Sequence, residues 1–306
     1  MNSQPKYLIL FLFLGISSFA QHRNTNNFFK PSDTLNVSRR NAVIITEASL
    51  ATLTLIGLNE LWYNDFPRSN FHTIDDSDEW LQMDKLGHVM SSYYVGKLGA
   101  DVLHWSGVSK KNQLIYGSTL GFTFLTAVEI FDGYSKEWGF SWSDIGANAV
   151  GTGLYVGQEL LWEEQRIVLK YSFHRTKYAK LRPNKLGENF LQEVLKDYNG
   201  QTYWLSANLD SFIKDKEHKI PKWLNIAFGY GADGMLTGIT ENVDSLFTNQ
   251  DRIRQFYLSF DVDLTRIKTN SGLLKTVFSV INVIKIPMPT IEYNSKNGVV
   301  FHLLFF

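Results

Sequence analysis

The chain has no cysteine in its 306 residues. That excludes disulfides, thiolate metal ligands, a cysteine nucleophile and a lipid-modified N-terminal cysteine. It also lacks an excess of either charge: Lys+Arg and Asp+Glu are both 30, a formal net charge of +0. Such a balance offers nucleic acid no basic surface, and no nucleic-acid partner is expected. There is no G-x-S-x-G elbow and no H-E-x-x-H pair to name a reaction. What is present is apolar and aromatic. Hydrophobic residues make up 44% of the chain and aromatics 14%, with 22 Phe and 14 Tyr, and the apolar residues cluster in runs.

The first run reads as a secretory signal over residues 1–20. One lysine precedes an apolar stretch, and Ser18 and Ala20 occupy the two positions a signal peptidase reads. The protein is therefore expected to be exported into a bacterial cell envelope. Residues 21–38 are polar and read as a flexible leader. Residues 39–162 hold four apolar, helix-length segments, starting near Arg39, Asp84, Asn112 and Asp144. The last two are close to membrane-spanning length. Small residues recur at four-residue spacing, Gly117 with Gly121 and Ala149 with Gly153 and Gly157, which favours close helix approach, as in membrane contact or in a tightly packed soluble bundle. Residues 163–221 read as a charged linker with a soluble helix. From residue 222 to 306, period-two alternation predicts strands. In "RQFYLSFDVDLTR", Phe256, Leu258 and Phe260 point one way, and Tyr257, Ser259 and Asp261 the other. The fold class expected is α+β: an N-terminal bundle of about four apolar helices, then a small antiparallel sheet of four or five strands. That is too few for an outer-membrane barrel, which needs at least about eight.

Charged groups on apolar helices are costly, so their positions are informative. Asp84 and His88 are four apart on the second helix, with Lys85 between them. Glu129 and Asp132 are three apart at the end of the third. Asp144, Asn148, Thr152, Tyr155 and Glu159 line one stripe of the fourth. If these seams face one another, four carboxylates meet one lysine and one histidine. Such crowding raises carboxylate pKa values or calls for a cation. The cluster can then be an acid/base site with His88 as proton carrier, a metal site, or an ion-pair network that fixes helix register. Each residue has a plainer role open to it. Asp84 can cap its helix, Lys85 can be solvated, and Glu129 and Asp132 can end theirs in water. Ser141 can be a turn residue, and Ser143 or Asp144 can serve the next helix start.

Three motifs, "DKLGH" (Asp84–His88), "EIFD" (Glu129–Asp132) and "GFSWSDIGANAVG" (Gly139–Gly151), resemble the YfiM-like family of bacterial envelope proteins. Their order and spacing are also distantly similar to VanZ-like membrane proteins. The resemblance covers roughly residues 80–162. It implies an envelope protein of the kind described as a predicted periplasmic lipoprotein, and implies no activity, substrate or cofactor. The chain departs from it in having no lipobox cysteine.

The expectation is an exported, membrane-associated protein of the periplasm or outer membrane, with a membrane lipid or envelope component as partner and its cofactor unknown. His88, Asp84, Glu129, Asp132 and Asp144 form the candidate catalytic set. Lys85, Ser141 and Asn148 are binding residues, with Lys85 meeting an anionic head group. The alternatives are a non-catalytic structural or partner-binding protein and a small pore.

Overall fold

The four helix-length runs all form helices in the computed structural model, which describes residues 28–63, 66–214, 219–239 and 251–306. The expected signal peptide lies outside the described residues. Helix α1, Val37–Leu58, starts at Asn36, whose side chain accepts the Arg39 N–H. The segment before it is held down, since Trp105 donates to the Phe28 carbonyl and the Ser32 and Asn36 N–H groups reach the Trp105 and Ser106 carbonyls. Helices α2 (Met83–Trp105), α3 (Leu120–Asp132) and α4 (Trp142–Trp162) pack on one another. Val43 is the one buried residue of α1, which leans on α2. The expected bundle of four is thus three packed helices with a fourth alongside. Two stretches, Val37–Leu58 and Lys110–Asp132, are long and apolar enough to cross a membrane. The second is broken by a π-helical turn, Gln113–Gly117, and seated on α2.

Glycine sets how closely the three helices approach. A methyl group at Gly121 would lie 2.2 Å from the Ser92 carbonyl oxygen, and one at Gly151 would lie 2.1 Å from that of Val89. Both α3 and α4 therefore rest directly on the α2 backbone. Gly153 and Gly157, which share the sequence spacing, face open space instead.

After α4 the chain makes one antiparallel meander of six strands: β3 (Ile167–Phe173), β4 (Gln201–Asn208), β5 (Leu224–Asp233), β6 (Ile253–Val262), β7 (Met288–Asn294) and β8 (Gly298–Phe305). The sheet thus begins well before residue 222. "RIVLKYSF" and "QTYWLSAN" were expected to lie in the linker; charges around the first hide a plain alternation of Ile167, Leu169, Tyr171 and Phe173. A separate two-residue parallel pair, β1 (Thr73–Ile74) with β2 (Phe140–Ser141), ties the loop before α2 to the start of α4. Helix α5 (Phe190–Lys196) lies between β3 and β4, and helix α6 (Gly272–Ile281) between β6 and β7.

The sheet is strongly curled. Lys170 on β3 reaches Asp261 on β6 at 2.8 Å, although a flat sheet would hold strands three apart about 14 Å from each other. Tyr257 on β6 stacks on Phe305 of β8 with ring centres 4.7 Å apart. The concave side is filled by an aromatic cluster of Trp204, Tyr257 and Phe305 and by a polar network. Asn208 donates to Asn225, Asn225 to Ser206, and Ser206 to Asp261, while Lys285 donates to Ser259. Among the described residues β3 and β8 do not pair with each other, and Val283 and Lys285 exchange backbone hydrogen bonds with Tyr171 at the β3 edge. Among the described residues the strands therefore do not close on one another. Helices and sheet meet where Leu169 of β3 packs with Tyr93 and Ala100 of α2 and Tyr155 of α4.

Candidate functional site

Two helices start and one ends at the same pole of the bundle, so the three polar seams converge there. The α2 start brings Asp84, Lys85 and His88, the α3 end brings Glu129 and Asp132, and the α4 start brings Asp144 and Asn148. Ser141 is the cap of α4, its hydroxyl accepting the Asp144 N–H at 3.1 Å. The β1–β2 pair adds Asp76, which the sequence reading missed. It accepts from Ser141 Oγ at 2.6 Å and Ser143 Oγ at 2.8 Å. Asp76 sits in an acidic stretch, "TIDDSDEW", that has no periodicity to single it out.

The chain then enters α2 through three consecutive left-handed residues, Trp80 (φ 47°), Leu81 (φ 52°) and Gln82 (φ 65°). Each non-glycine residue there costs about 1–2 kcal/mol, so the surroundings must hold the turn. The Gly238 carbonyl accepts the Trp80 N–H at 2.8 Å, Tyr230 donates to the Leu81 carbonyl at 2.6 Å, and Arg254 donates to Gln82 Oε1 at 2.8 Å. The sheet thereby sets the angle at which Asp84 and Lys85 arrive.

Lys85 is the hub of the cluster. Its ammonium lies 2.7 Å from Asp76, 2.7 Å from Asp144 and 3.2 Å from Asp84. Burial alone would lower its pKa, but Asp84, Asp144 and Asp76 carry it above the ordinary lysine value. Burial likewise opposes ionisation of Asp76. The hydrogen bonds from Lys85, Ser141 and Ser143 outweigh that and hold its pKa below the usual carboxylate range. The expectation that Lys85 meets an anionic head group is at odds with this enclosure, because three carboxylates already neutralise it. Tyr198, on the chain after α5, donates to Asp84 at 2.7 Å.

His88 lies on the other side of Asp144. Its Nε2 is 3.7 Å from Glu129 Oε1 and 3.8 Å from Asp144 Oδ1, and its Nδ1 is 3.1 Å from Asn148 Oδ1. The two carboxylate distances are ion-pair separations, longer than hydrogen bonds. Asn148 is fully buried, yet its Nδ2 has no partner. Glu129 is 2% exposed, and its Oε2 accepts the Ser141 N–H at 3.2 Å. Burial first, then the neighbouring Asp144 and Asp132, push its pKa up to about 9, so it carries a proton at neutral pH. Its place in the last turns of α3, at the negative end of the helix dipole, works in the same direction. Burial raises Asp144 and Asp132 to about 6, against the pull of His88 on both and of Lys85 on Asp144. Asp132 sits behind Glu129 and accepts from Tyr63 at 2.7 Å.

The stripe on α4 continues away from this pole as the spacing predicts. Ser92 donates to the Asn148 carbonyl and meets Thr152 Oγ1, and Glu159 pairs with Lys110 at the far end. Asp84, His88 and Asp144 each offer an atom within 4.8 Å of the others, the spacing of a metal site. Lys85 already supplies the positive charge there, so the donor set suits a cation only with Lys85 displaced.

His88 and Asp84 also line a cavity of about 400 Å³ between α2, α3, α5 and the sheet. Its other walls are mostly aromatic and aliphatic, among them Tyr94, Tyr171, Tyr203, Leu125 and Val194. Gly87 leaves it open, since a methyl group there would lie 3.2 Å from the Tyr203 hydroxyl.

Residues 73–158 match a family model described as predicted periplasmic lipoprotein (DUF2279). That stretch contains every site residue expected from the sequence, and it supports an exported envelope protein. The lipid anchor in the description has no cysteine to sit on in these 306 residues. The YfiM-like and VanZ-like resemblances rest on the motifs alone. Comparison with curated proteins and with solved structures finds no match.

Proposed function

We propose that this is a membrane-associated protein of the cell envelope that binds the apolar portion of an envelope lipid or lipid-linked molecule in the cavity beside α2. The polar end of that molecule meets His88 and Asp84. The observation that carries the reading is the composition of the cavity: an open aromatic and aliphatic cleft with two titratable groups on one wall, backed by a protonated Glu129. In this reading His88 is the proton carrier and Glu129 its proton store. Asp144 orients the imidazole, Asn148 offers its unpartnered amide, and Asp132 with Tyr63 keeps Glu129 protonated. Lys85 and Ser141 hold the carboxylates in place, and Asp76 joins them. Association with the membrane is supported by α1, whose apolar residues are almost wholly bare: 6% of its most apolar window is buried. Its 22 residues span about 33 Å, enough for a hydrocarbon core of about 30 Å.

The test is lipid extraction and mass spectrometry of the purified full chain. Wild type is expected to retain an envelope lipid. Gly87→Leu fills the cavity and loses the lipid while keeping the circular dichroism spectrum. A wild-type protein that carries no lipid, or a Gly87→Leu variant that carries as much, defeats the proposal. The second reading, a non-catalytic protein whose polar cluster only fixes helix packing, is favoured by the closure of Lys85 around Asp76, Asp84 and Asp144. It predicts that His88→Ala and Asp144→Asn leave function intact and cost stability alone.

A further inference from the structure

The curled sheet encloses a polar network beside the Trp204–Tyr257–Phe305 cluster and leaves its outer face apolar. On its concave side Lys170, Ser206, Asn208, Asn225, Asp261 and Thr290 are completely buried. On its convex side the cross-strand register aligns Leu205, Phe228, Leu258, Ile291 and Phe301 in one row across β4 to β8. A second row holds Phe256, Tyr293 and Val299, and Phe260 and Leu303 lie on the same face. These side chains are 39–75% exposed. The convex positions of β4–β8 hold a single charged side chain, Arg254, which lies at one end and donates to Gln82 and Tyr230.

We propose that this convex face is inserted into the hydrocarbon of a lipid bilayer, so that the sheet as well as α1 contacts the membrane. Water as the neighbour would favour the opposite arrangement, with apolar rows inward and Lys170 and Asp261 outward. The network on the concave side has hydrogen-bonded its polar groups among themselves, as a wall facing lipid requires. The face is also too broad for one helix. Five strands about 4.8 Å apart extend about 19 Å, against a helix about 10 Å wide. A protein partner of mixed polarity would leave polar groups interspersed within the patch, and in these rows the Tyr293 hydroxyl is the one polar side-chain group. On β3 the same face is already covered by α2 and α4 at Leu169, and α2 in turn carries α1, the helix with bare apolar sides. The inference shares the membrane location with the proposed function and does not involve the cavity.

Because the chain has no cysteine, each single-cysteine variant carries one label. An environment-sensitive fluorophore is placed at Phe228→Cys, Leu258→Cys and Phe301→Cys on the sheet, at Leu53→Cys on α1, and at Asn297→Cys on the exposed β7–β8 turn. The full chain is mixed with vesicles of phosphatidylethanolamine and phosphatidylglycerol bearing spin labels on their acyl chains. The three sheet labels are expected to shift to the blue and be quenched by the chain-borne spin labels, and the label at 297 to remain in water. Quenching at 53 with unquenched, water-exposed sheet labels overturns the proposal, since α1 alone would then insert. Sheet labels shielded equally without lipid overturn it in favour of a second copy of the chain. Loss of bound lipid in Gly87→Leu with sheet quenching unchanged separates the cavity reading from this one.

Discussion

At the scale of single residues, the cluster depends on who holds protons. Glu129 has its pKa raised to about 9 in the folded chain, from an ordinary value of 4.5. Between those values the native state binds a proton that the unfolded state releases, so stability falls as pH rises through the window. Asp132 and Asp144, raised to about 6, add the same slope only in the acidic part of it. Between pH 6.5 and 7.5 the slope belongs mainly to Glu129, with a ceiling of about 1.4 kcal/mol per pH unit; higher up, Lys285, lowered by burial to about 8, adds a slope of opposite sign. Glu129→Gln imitates the protonated form, so it should flatten the stability profile between pH 6.5 and 7.5 without lowering stability at the upper end. Denaturant midpoints at those two pH values check this, and an unchanged slope in the variant would show that the proton is held elsewhere. Lys85→Met should be far more damaging. It leaves Asp76, Asp84 and Asp144 with no cation, and breaking such a pair costs about 3–5 kcal/mol. Denaturant titration measures the loss, and a cost under about 1 kcal/mol would mean the carboxylates are already neutral or solvated. Most of these residues were legible in the sequence, because helical spacing puts Asp84 with His88 and Asp144 with Asn148 on one face. Asp76, Tyr63 and Tyr198 were not. Asp76 and Tyr198 come from irregular segments and Tyr63 from the end of a short π-helical turn, and only the tertiary fold brings them to the cluster.

At the scale of elements, the sequence spacing of small residues announced close packing without saying which of them pack. Gly121 and Gly151 touch the α2 backbone, while Gly157 touches nothing. Alanine at Gly121 or Gly151 must push a helix away from α2, a strain of about 1–3 kcal/mol. Alanine at Gly157 removes only backbone freedom and should stabilise α4 by up to about 1 kcal/mol. Thermal unfolding of the three variants distinguishes them, and a uniform response would mean that helix propensity alone governs the bundle. The strands show the same limit. Alternation in β6, and the turn of β7 into β8, were readable because turn residues bound them; the Asn294 side chain accepts the Lys296 and Asn297 N–H groups. Strand β3 was masked by the charges of Arg166, His174 and Arg175 around it, although its own pattern is as regular.

At the scale of the whole molecule, alternation establishes that a sheet has two unlike faces and leaves open which one is inside. The curl decides it here: the concave side closes around Lys170 and Asp261, joined at 2.8 Å with both side chains fully buried. This pair ties β3 to β6, and through β3 it ties the sheet to the helices that carry the site. A buried ion pair contributes little beyond what well-packed apolar residues would, yet each partner depends on the other. Lys170→Met alone should therefore cost about 3–5 kcal/mol by stranding Asp261. The double variant Lys170→Met, Asp261→Leu should recover part of that, and the remainder reports what the rest of the network loses. Ser206 would lose its acceptor, Asp261 Oδ2, and the Ile286 N–H its acceptor, Asp261 Oδ1. Equilibrium unfolding of the wild type and these two variants forms the test. Equal stability of the single and double variants would show that the curl is maintained by the aromatic contacts of Trp204, Tyr257 and Phe305, with the ion pair only filling the space between them.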